Sequence, residues 1–259
     1  MSHPKLSIVI PVWNEGVNLK ITLKILRALV DFDHEVLIVY DFDEDDSIPV
    51  VKSFQEKYQG LRLVHNTLGK GVVNAIKAGV NAAEGDYILT IAADDMGTII
   101  GIEDMVQLMD EGCDLVNATR YAYGGKNIGG SWLSTLLSVT LNKAFYILAG
   151  SAFTDPTFGV KMFRRDKFKT LKIESKPVGW AHSLEMAVKA QLAGWQLGEA
   201  PLISLNRLYG GNSSFAAHKW ASEYARWFFW GIKHLSRSDK SRKNIQVKIP
   251  EKIRFKRHK

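Results

Sequence analysis

The chain reads as an α/β fold: a mostly parallel central sheet with helices on both faces. Three observations predict it. Short apolar runs alternate with helical patterns through the first half, polar clusters recur where the apolar runs end, and 46% hydrophobic residues with seven tryptophans among 259 can fill a large core. The elements follow in order. Leu6 to Val12 is an apolar run, followed by Asn14-Glu15 and the helical spacing Leu19, Leu23, Leu26. Glu35 to Tyr40 repeats the strand signal and leads into the acids Asp41, Asp43, Glu44, Asp45 and Asp46, then a helix near Val50 to Tyr58. Leu61 to His65 is a third strand, and Gly69-Lys70-Gly71 opens a helix through Ala83. Asp86 to Ala92 is a fourth, ending in Asp94-Asp95. A helix near Ile102 to Glu111 precedes the strand Asp114 to Thr119. Sheets of this kind hold ligands outside the carboxyl ends of their strands.

Beyond Arg120 the rhythm changes. A glycine-bearing segment, 124–130, leads to a long helical stretch, a turn at Thr154 to Gly159, a strand near Val160 to Phe163 and a helix from about Ala181 to Ala193. Leu202 to Asn206 reads as a late strand, Arg207 to Ser214 as a loop, and Lys219 to Lys233 as an aromatic helix. The expected organisation is a main domain over 1–218, an aromatic amphipathic helix over 219–235 and a basic tail over 236–259.

Composition excludes several classes. The lone Cys113 forbids an intrachain disulfide. Neither a G-x-G-x-x-G turn nor a Walker A sequence occurs, so hydride transfer and P-loop chemistry drop out. No G-x-S-x-G elbow and no zinc spacing is present. The net charge of +7 is concentrated from Lys233 to Lys259, where eleven Lys/Arg face only Asp239 and Glu251. That tail suits an anionic surface, or only water. No nucleic-acid motif accompanies it. The start of the chain predicts no leader peptide, since Lys5 runs directly into the first strand. The apolar stretch Ser131 to Phe153 is broken by Asn142 and Lys143, which predicts no spanning helix.

The polar clusters form an ordered set: I8-V-I-P-V-W-N-E15, acids after Val39, G69-K-G, A-A-D94-D95 and T119-R-Y121. T154-D-P-T-F-G159 with Lys161, H182-S-L-E-M186 and R207-L-Y-G-G-N-S-S-F215 follow. This order resembles the family 2 glycosyltransferases with their GT-A domain, and within them dolichyl-phosphate mannose synthases and bacterial polyprenyl-phosphate glycosyltransferases. The resemblance implies an inverting transfer of a sugar from a nucleoside diphosphate to a polyprenyl phosphate. It places Pro11, Asn14, Glu15, Asp41, Lys70 and Asp94 at the donor. Asp94, with Asp95 beside it, would hold Mg²⁺ or Mn²⁺, hard cations suited to oxygen ligands and to a diphosphate leaving group. The sequence departs from the family at Ala92, where a first aspartate is usual, and at Met96.

The same resemblance puts Arg120, Lys161, Arg207 and Ser213 around the acceptor phosphate, with Lys161 in place of the usual arginine and Ser214 where a lysine often stands. Guanidinium groups suit phosphate through paired hydrogen bonds. Asp94, Arg120, Arg207 and Glu185 are the catalytic candidates. Glu185 stands inside an apolar helix as a general base or as a buried partner of a cation; an ionised phosphate acceptor needs no base. Two alternatives stay open: transfer to a sugar hydroxyl with Glu185 or Asp155 as base, and a non-catalytic module binding nucleotide sugar or lipid phosphate. The aromatic helix either docks on the domain or, with the tail, lies at a membrane surface. The expected location is peripheral, on the cytoplasmic face of a membrane. A membrane-anchored partner protein is a further candidate for bringing enzyme and lipid together.

Overall fold

The computed structural model describes residues 4–129, 131–177, 179–205 and 217–254. In chain order it contains β1 (Leu6–Pro11), α1 (Gly16–Leu29), β2 (His34–Tyr40), α2 (Ser47–Gln55), β3 (Leu61–His65), α3 (Val72–Ala82) and β4 (Tyr87–Thr90). After a 3-10 segment at Met96–Gly101 come α4 (Ile102–Asp110), β5 (Leu115–Thr119), β6 (Lys126–Ile128), α5 (Trp132–Leu148), β7 (Lys161–Arg164) and α6 (Arg165–Phe168). The chain continues through α7 (His182–Leu192), β8 (Leu197–Pro201), β9 (Ile203–Leu205), α8 (Ala217–Leu235), β10 (Val247–Lys248) and α9 (Glu251–Arg254).

Eight strands form one sheet in the order β10-β8-β5-β7-β4-β1-β2-β3, and β6 pairs with β9 beside it. Among the described strands only β7 runs antiparallel to its neighbours, between β4 and β5. The central strands are apolar on both faces because helices cover both. Ile8 and Ile10 of β1 pack with Leu19, Leu23 and Leu26 of α1, whereas Val9 faces Ala75, Ile76 and Val80 of α3. The two-residue alternation of a strand thus feeds two cores. Gly79 lets α3 approach β1, since a Cβ there would sit 2.4 Å from a Val9 methyl. A third cluster joins Phe145 of α5, Leu184 and Val188 of α7, and Trp227 and Leu235 of α8.

Two segments near the end of the described chain pack on the domain. The aromatic helix α8 does not turn its apolar face outward: Trp227 and Leu235 are fully buried, and Phe228 packs on Phe145 at 5.1 Å. Nor are residues 236–254 a solvated appendage. β10 extends the sheet beside β8, Arg242 N donates to Gly150 O at 2.9 Å, and Gln191 Nε2 donates to Lys240 O at 2.7 Å. Lys252 pairs with Asp104 at 2.6 Å, and Lys248 donates to Glu111 O. The basic residues there serve partly as docking groups. Truncation after Leu235 should therefore cost about 2 kcal/mol or more, or roughly 5 °C in melting temperature for a domain of this size. Calorimetry of the truncated chain checks this; an unchanged transition would mean that the segment contributes only charge.

Candidate active site

The carboxyl ends of β1, β2 and β3 meet in a knot of polar contacts. Asn14 adopts a left-handed backbone, φ 52°, a conformation that asparagine tolerates better than most residues. Its N–H donates to Asp45 Oδ2 at 3.0 Å, and Asp46 N returns a bond to Asn14 Oδ1 at 3.2 Å. Glu15 N donates to Ser47 Oγ and Gly16 N to Asp46 Oδ1, at 3.1 and 2.9 Å. The acids after β2 thus satisfy the unpaired N–H groups at the start of α1, as a capping side chain would. Pro11 closes β1 immediately before this knot.

Asp41 has a different role. Its carboxylate accepts from Asn66 Nδ2 at 2.7 Å and from Gly71 N at 2.9 Å, tying β2 to the loop that opens α3. Gly71 sits at φ 119°, and a Cβ there would overlap Pro177 O, so only glycine fits. Lys70 lies 3.8 Å from the centroid of the Trp13 ring, which leans on Phe42 at 4.6 Å. Trp13 is 40% exposed at the mouth of this loop cluster. Trp13 and Phe42 are not among the site residues the sequence predicts, although a tryptophan between a strand end and Asn14-Glu15 is an available signal for an aromatic platform.

The loop after β4 carries both aspartates, but they differ. Asp94 is half-buried at the strand end. Asp95 is buried, with Oδ2 accepting from Ser204 Oγ at 2.8 Å and Oδ1 from Leu205 N at 3.1 Å, so it fastens β9 to this loop. Burial pushes its carboxyl up to about 6, against the pull of those two donors. The expectation of Asp95 as a metal ligand meets a carboxylate already engaged on both oxygens. Among the described residues no group of three or more His, Cys, Asp or Glu side chains is disposed to hold a metal. The donor set fits an ion shared with a substrate diphosphate, since Mg²⁺ is commonly held by one or two carboxylates plus phosphate oxygens. Asp94 is the other carboxylate on this loop.

Arg120 follows β5, and its guanidinium forms a fork on the fully buried Asp155: Nε to Oδ2 at 2.8 Å and Nη2 to Oδ1 at 3.0 Å. Arg120 N adds a third bond to Oδ2 at 3.1 Å. The guanidinium carbon lies 4.8 and 4.5 Å from the Tyr121 and Phe158 ring centroids. Tyr121 OH donates to Ser138 Oγ of α5 at 2.9 Å, and Asn142 Nδ2 of α5 donates to Thr157 Oγ1 at 2.9 Å. α5 therefore walls this half of the site with polar side chains.

Lys161, expected at the acceptor phosphate, is placed elsewhere. It is 1% exposed and donates to Asn117 Oδ1 and to Pro156 O, beneath the 154–157 turn. Burial drives its ammonium down to about 7, with Asp155 and Glu199 resisting. Between pH 7 and 10.5 the unfolded chain thus binds more protons at this group than the folded one, so stability should rise with pH across that window. Melting curves from pH 7 to 9.5 should show a shallower rise for Lys161→Met than for wild type; identical slopes would refute the assignment.

Glu185 is also committed. Its oxygens accept from Glu174 N, Ser175 N and Ser175 Oγ at 2.6, 2.8 and 2.6 Å, and Lys189 pairs with it at 2.7 Å. This bracket fixes the segment that brings Pro177 against Gly71, and it leaves Glu185 poorly disposed to serve as a base. Burial pushes the His182 imidazole down to about 3. Arg207 and Ser213 lie outside the described residues.

A mostly parallel sheet whose carboxyl edge gathers Asp41, Asp94 and Arg120 defines a GT-A nucleotide-diphospho-sugar transferase fold. The chain belongs to glycosyl transferase family 2, whose family model matches residues 7–172. Among its relatives is an undecaprenyl-phosphate 4-deoxy-4-formamido-L-arabinose transferase of Enterobacter sp. (strain 638), 31% identical over 166 residues that span 62% of this chain and 49% of the relative. A dolichol-phosphate mannosyltransferase of Pyrococcus furiosus is 25% identical over 194 residues, 72% of this chain and 53% of that protein. The chain thus spans about half the length of these curated relatives. Glucosyl-3-phosphoglycerate synthase of Mycobacterium tuberculosis, solved with Mn²⁺, uridine diphosphate and glucosyl-3-phosphoglycerate, superposes with a TM-score of 0.64. That match has 16% identity over 91% of this chain and 81% of the other, which speaks to the fold.

Proposed function

We propose that this protein is an inverting glycosyltransferase that moves a sugar from a nucleoside diphosphate to a polyprenyl phosphate at a membrane surface. The observation that carries this reading is the orientation of α5. Thr135, Ser138 and Asn142, spaced by three and four residues, face Asn127, Arg120, Tyr121 and Thr157. The opposite face presents Trp132, Leu133, Leu136, Leu137 and Leu141, each between 46 and 76% exposed. A helix bordering water normally has the reverse polarity. Here the polar seam meets Arg120 while the apolar face lies open, which suits an acceptor whose phosphate enters the site while its prenyl tail stays in lipid. Among the described residues no helix is long and apolar enough to cross a membrane.

The donor would lie across the β1–β4 ends. Trp13 with Lys70 over its ring offers an aromatic and cationic rim for the nucleotide, and Asp41 anchors the loop that carries Lys70. Asn14 and Glu15 shape the first turn of that pocket. Asp94 would hold a divalent ion, which when bound would stabilise charge on the departing diphosphate. On the acceptor side Arg120, held in plane by Asp155, would orient the phosphate oxygen for in-line attack, with Arg207 and Ser213 completing the set by resemblance. No proton needs removal from an ionised phosphate, in keeping with a Glu185 already consumed by its own hydrogen bonds. Glu185→Gln that retains the native fold should accordingly keep its rate within about tenfold of wild type, whereas removing a general base costs about 10²- to 10⁴-fold.

Incubating labelled nucleotide sugars with undecaprenyl phosphate or with an oligosaccharide acceptor, with and without Mn²⁺, tests the reading. Labelled lipid-phosphate sugar is the expected product. Transfer to the oligosaccharide alone would overturn it.

A further inference from the structure

Lys161, Asn117 and Glu199 form a buried polar cluster that the chemistry above does not use. Asn117 and Glu199 stand paired on β5 and β8, and Lys161 faces Asn117 from β7. All three side chains are essentially inaccessible to solvent. Asn117 Nδ2 donates to Asp155 O at 3.1 Å, and its Oδ1 accepts from Lys161. Glu199 Oε1 accepts from Thr154 N at 2.8 Å and Asn117 Nδ2 at 3.4 Å, and Lys161 reaches Pro156 O at 3.2 Å. Three strands thus grip three consecutive residues, Thr154 to Pro156, by their backbone. The side chain in the middle of that turn is Asp155, whose two oxygens set the plane of the Arg120 guanidinium.

We infer that Lys161, Asn117 and Glu199 are positioning residues that hold Arg120, through the 154–157 turn and Asp155, in the orientation that receives the acceptor phosphate. This rests on the acceptor reading above for its function and on the contacts alone for its geometry. A buried ammonium and a buried carboxylate are costly to retain unless paired. Apolar residues would fill these positions at less cost in desolvation but would leave the Thr154 N–H and the Asp155 and Pro156 carbonyls unheld. Glu199 Oε2 has no hydrogen-bond partner among the described groups, so the cluster is not optimised for stability alone. Burial pushes the Glu199 carboxyl up to about 7, resisted by hydrogen bonds from Thr154 and Asp155, and the Lys161 ammonium down to about 7, resisted by the charges of Asp155 and Glu199.

The test is Lys161→Met in the full chain, read by acceptor kinetics and by nitrogen-15 NMR of the Arg120 Nε–H. We expect the KM for undecaprenyl phosphate to rise about tenfold with the KM for the nucleotide sugar changed less than about twofold, and Nε–H exchange to quicken about tenfold. In an Arg120→Lys background, which cannot form the planar fork, the same change should add less than about twofold, because residues acting through one another are not additive. Unchanged Nε–H exchange in a folded variant, or full additivity, would overturn the inference. Should Lys161→Met not fold, Asn117→Leu, which keeps the branched shape and removes the bond to Asp155 O, takes the same measurements with the same expected result. If Arg120→Lys leaves the acceptor KM untouched, the acceptor reading fails, and the exchange rate alone then decides whether the brace exists.

Discussion

Asp94→Ala should lower turnover by about 10²- to 10³-fold or more while leaving the melting temperature near that of wild type, the loss expected when one electrostatic stabiliser of a departing oxyanion is removed. The neighbouring residue supplies the contrast. Asp95→Ala removes two hydrogen bonds from a buried carboxylate to Ser204 and Leu205, so β9 loses its tie to the loop after β4. Bonds to a charged group are worth about 1.5 to 3 kcal/mol each, and a drop in melting temperature should dominate that variant. Nucleoside diphosphate titrated with and without Mn²⁺ should show a metal-enhanced affinity in wild type and none in Asp94→Ala. A folded Asp94→Ala enzyme with wild-type turnover would remove Asp94 from the donor site. Equal melting losses in the two variants would make both aspartates structural.

The contrast within this pair marks how far the sequence could be read. β1, β2 and β4 were legible because each carries a continuous apolar run, the pattern forced on strands covered on both faces, whereas β3 and β5 carry Arg62 and Asn117 within theirs and were marked by their flanking turns. β8 was not. Its Gly198, Glu199 and Pro201 break that pattern, and Glu199 is tolerated inside only because Thr154 and Asn117 donate to it from other elements. β10, two residues long, carries no period at all and is defined only by its pairing with β8. Within the site, residue types at strand ends were informative but partners were not. Arg120 and Lys161 look alike in sequence as cations beside a strand. One reaches the surface of the site and the other is consumed beneath it, a difference set by where β7 enters the sheet. α5 was legible as an apolar stretch, yet the spacing of Thr135, Ser138 and Asn142 gains meaning only once Tyr121 and Thr157 are known to face them.

That orientation leads to the expected loss of membrane binding when the outer face of α5 is made polar. Leu133 and Leu137 are 61 and 58% exposed, so replacing both by glutamate should leave folding intact. Full burial of a leucine is worth about 1.5 to 3 kcal/mol, and partial insertion of two recovers a good part of that. Adding two negative charges beside anionic lipid opposes binding further, by about 1 kcal/mol per charge near the surface. Together these terms predict a fall in vesicle partition of about 10²-fold or more for Leu133→Glu/Leu137→Glu. At 1.5 Å per residue the 17-residue helix is about 25 Å long, enough to lie flat across several headgroups. Lys143, exposed on the outer face of α5, adds a cation to the patch. Lys143→Glu alone should weaken binding modestly, and only at low salt, because salt screens the electrostatic part and leaves the apolar part. Sedimentation with vesicles containing phosphatidylglycerol separates the two contributions. If the double variant sediments like wild type, the α5 face is not what meets lipid. If wild type instead forms dimers that the double variant abolishes and neither binds vesicles, a second copy of the chain covers this face, and the proposed lipid acceptor would have to reach Arg120 by another route.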